Sequence, residues 1–439
     1  MAAAAVLLGA ALLLWPALAN HYPLAFIDTV AYLLHTLHWR HPWDKTAAYG
    51  PLILAFHWRI SLWGVAVAQA LALSWLLWRV GALVRGRPDP LAHALVMAVL
   101  AAATTAPWFA SFVMPDVLAP VVVLGLFLLA NDDAAARGTR IAIGAISAAA
   151  IAAHLSHLGI ALAMVALTLL TRRRIAPVRR AAMPLLAAIF FLVGANLVAF
   201  ARPVLSAHGT LFLLARLQAD GPAAEILRHH CPSRGWVLCE HAGSLPMTAD
   251  RFLWSEESPI LHDRDGRRRP DNGLSLTGEA GEIVATAIME RPAEILAAMV
   301  LNTVRQALRV GVGDTLDPSD LRGGVAEVVG ALLGPAEQSR FEASRQMRGT
   351  FVAAPDPLHR ATLVAALVLL VLRAGRREPA GASFAAHALA GTLANAFMTG
   401  ALSGPHDRYG ARIAWIVVAA AATCWTTGRA GDAGTRGRS

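Results

Sequence analysis

Apolar runs recur along the whole chain, near 2–19, 60–84, 90–109, 116–131, 141–153, 158–171, 181–201, 357–374, 384–402 and 411–427, parted by short polar connectors. A bilayer's hydrocarbon core is ~30 Å thick and takes roughly 20 helical residues to cross. Inside it every backbone polar group must be satisfied within the segment, which a helix achieves by itself. These runs therefore predict an all-α polytopic membrane protein with about ten transmembrane helices. Composition agrees, with 15% charged residues where soluble domains carry about 25%.

The arginines assign the sides. Arg79, Arg85 and Arg87 flank one connector, Arg137 and Arg140 another, Arg172, Arg173, Arg174, Arg179 and Arg180 a third, and Arg373, Arg376 and Arg377 a fourth; Arg429, Arg436 and Arg438 follow in the tail. If the segments alternate, all share one face, which the positive-inside rule makes cytoplasmic. The net charge of +9 is thus a topology signal, and no nucleic-acid partner is expected. Turns almost free of basic residues, "WFASFVMPD", "HLSH" and "SGPHDRYG", fall outside. Residues 1–19 end in "WPALAN", similar to a cleavage site, but lack a basic n-region; cleaved or retained, residue 20 emerges outside.

Three regions follow: a membrane module over 1–201 with a first external loop at 20–59, an external polar insert at 202–356, and C-terminal helices with a cytoplasmic tail at 357–439. Within the insert, "PAEILAAMVLNTVRQALRV" reads as an amphipathic helix lying on the membrane. Cys231 and Cys239 are suited to a disulfide in an oxidising compartment. With His229, His230 and His241 they offer zinc ligands instead, at no recognised spacing. Residues 141–171 read as two short helices meeting at "HLSH", because one long span would put two arginine-rich connectors on opposite sides. Each reaches only ~20 Å at 1.5 Å per residue, which leaves a cavity open toward the outer face.

Polar side chains gather at that face. Asp28 precedes Tyr32 by four positions and His35 by seven, so the three share one face of a helix; a solvated loop helix has the same pattern. Asp116 stands before an apolar run, where an N-cap is worth about 1 kcal/mol, yet ionisable groups at membrane depth default to functional candidates. His154 and His157 lie i, i+3 at the tip of the short hairpin, a spacing that also suits a polar contact between helices. "SGPHDRYGAR" brings His406, Asp407, Arg408, Tyr409 and Arg412 to one external helix start.

Four stretches then resemble the GT-C-type membrane glycosyltransferases, which include bacterial aminoarabinose transferases and protein mannosyltransferases. "FIDTVAY" looks like the Asp-x-x-x-Tyr segment of their first external loop, and "MPDVLAPVVVLGLFLL" like the acidic start of their fourth span. "HLSHLGIALAMVALTLL" resembles the following short helix pair, although His157, Leu158 and Gly159 stand where relatives often carry Lys-Gly-Pro. "DRYGARIAWIV" is similar to the Arg-Tyr opening of a late helix. The likeness covers roughly residues 1–200 and the final 80; the insert 202–356 matches nothing in the family.

The resemblance implies a bacterial inner-membrane enzyme that moves a sugar from a polyprenyl-phosphate donor to a lipid, glycan or protein acceptor at the outer face, with inversion. By position, Asp28 is implied as the base and Asp116 as a group that orients the acceptor or helps hold Mg²⁺ or Mn²⁺. Arg408, His154, His157 and Tyr409 are implied around the donor phosphate, with Tyr32 and His35 lining the site. Two other classes keep the same residues. A transporter or flippase uses external acids and histidines as a coupling site, and a non-catalytic subunit binds a partner through 202–356. Repeated halves would favour transport; the chain shows none.

Overall fold

The computed structural model describes all residues except 173, 232, 264, 320, 352–353, 375–378 and 436–439, with the side chains of 427–435 also left out. Arg173, Arg376, Arg377, Arg436 and Arg438 of the cytoplasmic reading lie outside the described residues, as does the side chain of Arg429. Every named element is helical. In chain order the first are α1 (Ala2–Leu13), α2 (Trp15–Asn20), α3 (Thr29–His38), α4 (Tyr49–His57), α5 (Trp63–Arg85), α6 (Pro90–Ala103), α7 (Ala106–Ser111), α8 (Leu118–Asn131), α9 (Arg137–Ala152), α10 (Leu155–Thr171) and α11 (Ile175–Phe200). There follow α12 (Gly209–Ala219), α13 (Pro222–His230), α14 (Ala249–Trp254), α15 (Thr277–Glu290), α16 (Pro292–Leu308), α17 (Val325–Leu333), α18 (Pro335–Glu342), α19 (Asp356–Leu372), α20 (Pro379–Ala396) and α21 (Asp407–Thr435).

The chain forms two compact units. The first comprises 1–190, 309–395 and 407–439, and the second 191–308 with 396–406. The polar stretch 202–356 is therefore divided at 308. The cause is local: the Tyr22 hydroxyl donates to Glu337 at 2.6 Å, and Gln346 bonds both Asn20 and Ala25. These contacts tie 309–356 to the loop at residues 20–59.

Within the first unit, α8 is central. Every residue from Leu118 to Ala130 is buried, and it packs on α5, α9 and α10. Close approach is allowed by small residues: a Cβ on Gly125 would strike Ser147 of α9, and one on Gly391 of α20 would strike Val123. The C-terminal end of α8 collects three arginines from two connectors. Arg79 pairs with Asp132 at 2.7 Å, Arg172 bonds Asn131, and Arg180 bonds Asp133 and donates to the Leu129 carbonyl at 2.8 Å. Cations there also complement the helix dipole.

By length and composition α5 and α11 can each cross a bilayer, and α1, α6, α8 and α10 are shorter apolar helices. Two expected spans appear as broken pairs. Pro16 removes an N–H just past Leu14, so 2–19 splits into α1 and α2, and Pro107 does the same between α6 and α7. The expected short pair is present as α9 and α10, of 16 and 17 residues, about 24 and 26 Å long. Large apolar side chains face outward on several helices: Phe190 and Val198 of α11 are 76% and 89% exposed, and Val364, Val368, Val371 and Leu372 of α19 are also exposed.

In the second unit α12 packs against α13, α14 and α15. Cys231 and Cys239 are joined in a disulfide with Cα atoms 5.5 Å apart, so neither thiolate is left for zinc. The amphipathic helix α16 is inside-out. Asn302 and Gln306 are buried, Asn302 donating to Asp220 at 3.0 Å and Gln306 bonding the His406 backbone at 2.9 Å. Its Leu296, Val300, Val304 and Leu308, at four-residue spacing, point outward.

Candidate functional site

The site begins with a backbone clasp between the first loop and the turn before α8. Leu24 N donates to the Ser111 carbonyl and Val113 N to the Leu24 carbonyl, both at 2.9 Å. Thr29 Oγ1 accepts from Phe26 N at 3.0 Å and donates to the Val113 carbonyl at 3.2 Å. Asp28 and Asp116 are thereby held near one another. Neither carboxylate caps its helix, although Asp28 occupies the N-cap position of α3. Both are turned to cations instead.

Asp28 Oδ1 accepts from Lys45 Nζ at 3.0 Å, and Oδ2 faces Arg408 Nη1 at 3.4 Å. Lys45 also meets Asp44 at 3.0 Å. Arg408 reaches on to Asp116 Oδ1, with Nε at 3.9 Å, while its guanidinium lies 4.2 Å from the Phe26 ring centre and 5.1 Å from that of Tyr409. One guanidinium thus bridges the two acids expected to share a site. Burial would push the Asp28 carboxyl up, but Lys45 and then Arg408 outweigh it and hold it below the ordinary carboxylate range. Burial likewise opposes the Lys45 charge, and Asp28 with Asp44 raise its pKa regardless. Asp28 is therefore ionised at neutral pH.

Beneath this lies a second, drier layer. Arg412, one turn after Arg408 on α21, is fully buried. Its Nε and Nη2 donate to Asn395 Oδ1 at 3.0 and 2.8 Å, Nη2 also to Ser156 Oγ at 2.7 Å, and Nη1 faces Asp116 at 3.4 Å. Asn395 in turn donates to the Tyr409 carbonyl at 2.7 Å. A buried charge with four such contacts is an anchor, because an unpaired one costs several kcal/mol. Side-chain exposure falls from 25% at Asp28, through 14% at Lys45 and 12% at Arg408, to 3% at Asp116 and none at Arg412. Asp28, Lys45 and Arg408 form the mouth; Asp116 and Arg412 form the floor.

The remaining candidates divide. Tyr32 is buried one turn below Asp28, its ring edge-on to Tyr49 at 4.8 Å, and it feels the charges of Asp28 and Asp116. Tyr409 lies under both Arg408 and Arg412. His154 caps α10, its Nδ1 2.8 Å from Ser156 Oγ, and so touches the floor through the Arg412 partner. His157 does not turn to a cation. Its Nδ1 donates to the Ala150 carbonyl at 2.7 Å and closes the α9–α10 junction. His35 is not brought to the acids either: seven residues along α3 is about 10 Å, and its ring faces His41, 6.1 Å away, beside Gly50. Burial and the nearby His41 hold its pKa down to about 4.

Lys45, Asp44, Ser156 and Asn395 were not among the residues expected from sequence. Lys45 carried the clearest signal, being the only lysine in a chain with 38 Lys and Arg. The expected divalent cation does not fit this donor set. Both Asp28 and Asp116 already face cations, so a metal ion would join three positive charges, and no group of three metal-ligating residues occurs among the described residues. No family model, curated protein or solved structure matches the chain.

Proposed function

We propose that the protein is a polytopic membrane glycosyltransferase of GT-C type that transfers a sugar from a polyprenyl-phosphate donor to a lipid, glycan or protein acceptor at the outer face of a bacterial inner membrane. The observation that carries this reading is Arg408, which bridges Asp28 and Asp116 at the mouth of the ion cluster. The gathering of Arg79, Arg172 and Arg180 at the far end of α8 supports the cytoplasmic assignment of their connectors. Outward-facing apolar residues on α11, α16 and α19 support burial in lipid.

In this reading the Asp28 carboxylate takes the acceptor hydroxyl proton as that oxygen attacks the anomeric carbon. The bond from that carbon to the phosphate oxygen breaks on the opposite face, with inversion, and the polyprenyl phosphate leaves with the electron pair. Such a base contributes about 10²–10⁴ in rate. Lys45 and Arg408 offset the charge that develops on the departing phosphate. The same two cations hold Asp28 acidic in the resting site. A phosphate that draws them away raises the basicity of Asp28 when the donor is seated. Asp116, fixed by Arg412, keeps Arg408 oriented, and no metal-dependent step is required.

The test is the glycolipid and polysaccharide profile of cells that lack the protein. One sugar modification should be missing and its lipid-linked donor should accumulate. An unchanged profile with altered uptake or export of a small solute would instead identify a transporter, a reading that the closed charge network at the mouth also accommodates. Loss of a complex only on removal of the 191–308 unit would identify a non-catalytic subunit.

A further inference from the structure

At the other end of α21 lies a groove of about 550 Å³ between α6, α19 and α21, within the size range of ligand sites. Leu91, Leu95 and Val99 of α6, Leu369 of α19, and Val418 and Trp425 of α21 form its walls. Its lining is mostly apolar, with Thr362 on the α19 wall and Asp89 and Thr426 at one end. From Arg408 to Trp425 is about 25 Å along the helix at 1.5 Å per residue, so this groove is separate from the ion cluster.

Three arginines stand on that polar end, each against a lining residue. The Arg373 guanidinium lies 4.1 Å from the Trp425 ring centre. Arg85 Nη1 donates to Thr426 Oγ1 at 3.4 Å, and Arg87 Nη2 is 3.6 Å from Asp89. Asp89 is the one acidic residue among the described lining residues, and it is also engaged in capping α6, accepting from Ala92 N at 3.0 Å. Among the described residues, three cations against that carboxylate leave this end of the groove positive. Arg85 carries a second signal. Its Nε and Nη2 are buried and have no hydrogen-bond partner among the described residues, a costly condition for a guanidinium.

We propose that this groove binds an anionic phospholipid of the surrounding leaflet, one acyl chain between α6, α19 and α21 and the headgroup phosphate on Arg85, with Arg373 and Arg87 at the rim. A phosphate beside Thr426 meets the Arg85 guanidinium on its Nη1 side, and guanidinium–phosphate pairs are among the stronger hydrogen bonds. The polyprenyl-phosphate donor is a poorer occupant, because its phosphate must reach Arg408 at the opposite end of α21. The inference rests on the membrane reading given above but not on sugar transfer.

The experiment is native mass spectrometry of the full chain, released from detergent and titrated with phosphatidylglycerol, phosphatidylcholine or undecaprenyl phosphate. Phosphatidylglycerol should be retained at least fivefold more than phosphatidylcholine. The Arg85→Gln/Arg373→Gln double variant should lose that preference. Leu95→Trp, which keeps the arginines but fills the groove at a half-exposed position, should lose the bound lipid while the helical circular dichroism stays unchanged. Equal retention of the two phospholipids, an unaltered preference in the double variant, or stronger retention of undecaprenyl phosphate each overturns the proposal. Those outcomes leave the membrane reading standing. Recovery of the protein from cells without detergent would remove both.

Discussion

Asp28 and Asp116 share one arginine and differ in almost everything else. Asp28 is a quarter exposed and meets Lys45, a long side chain from the same loop at 20–59; Asp116 is almost wholly buried and meets Arg412, which is locked by Asn395 and Ser156. A group that can exchange partners suits chemistry, whereas a group whose partners are all fixed suits support. The contrast teaches that two acids equally visible in the sequence are not equivalent. In the proposed reaction Asp28 works at the substrate, and Asp116 positions Arg408.

The strongest way to break this contrast is to neutralise Asp28. Asp28→Asn should reduce sugar transfer by about 10²–10⁴ and leave membrane abundance near that of the parent protein. Activity within threefold of the parent would remove Asp28 as the base. Arg412→Met should act in the opposite manner, by stranding a buried carboxylate at a cost of about 3–5 kcal/mol. Its mark is loss of folded protein in a thermal-shift assay; normal stability would show that Asp116 does not need Arg412. Lys45→Gln should be milder, weakening transfer roughly tenfold through the lost charge at the leaving phosphate. Lys45→Arg should restore most of that loss, and failure of the arginine to do better than glutamine would assign Lys45 a purely steric part.

The smallest effect sharpens the boundary of the site. His35 is buried neutral with its pKa near 4, while the unfolded chain titrates near 6.5. The unfolded state therefore binds the extra proton first as pH falls. Stability supplied by neutral His35 is full above about pH 6.5, declines between there and about pH 4, and then levels off. His35→Phe should flatten that part of the stability profile by no more than about 3 kcal/mol and leave kcat unchanged. A large change in kcat would return His35 to the site.

Local pattern made much of this visible in advance. The turn at "HLSH" was readable because arginines on both flanks forbid a single span, and Asp28 and Asp116 stood out against apolar neighbours. Partnership was not readable, because it is non-local. Arg412 meets Asp116 across 296 positions of chain, and Arg408 meets Asp28 across 380. His35 stands about 10 Å along α3 from Asp28 because a shared helical face does not shorten two turns of rise. Residues 309–356 resemble the rest of the polar insert in composition, and their unit is shown by the bonds of Glu337 and Gln346 to residues 20–25 and by the packing of α17 on α3. Pro16 and Pro107 were plain in the sequence, but the apolar runs around them concealed that each would divide a helix.

The most direct test returns to the mouth of the cluster. Cells lacking the protein are complemented with the parent chain or with Asp28→Asn at matched membrane levels, and their glycolipids are profiled. The parent should restore one missing sugar modification, and the variant should leave it missing with the lipid-linked donor still accumulated. Restoration by the Asp28→Asn variant, or a profile that never lacked a glycan, would contradict sugar transfer by this site.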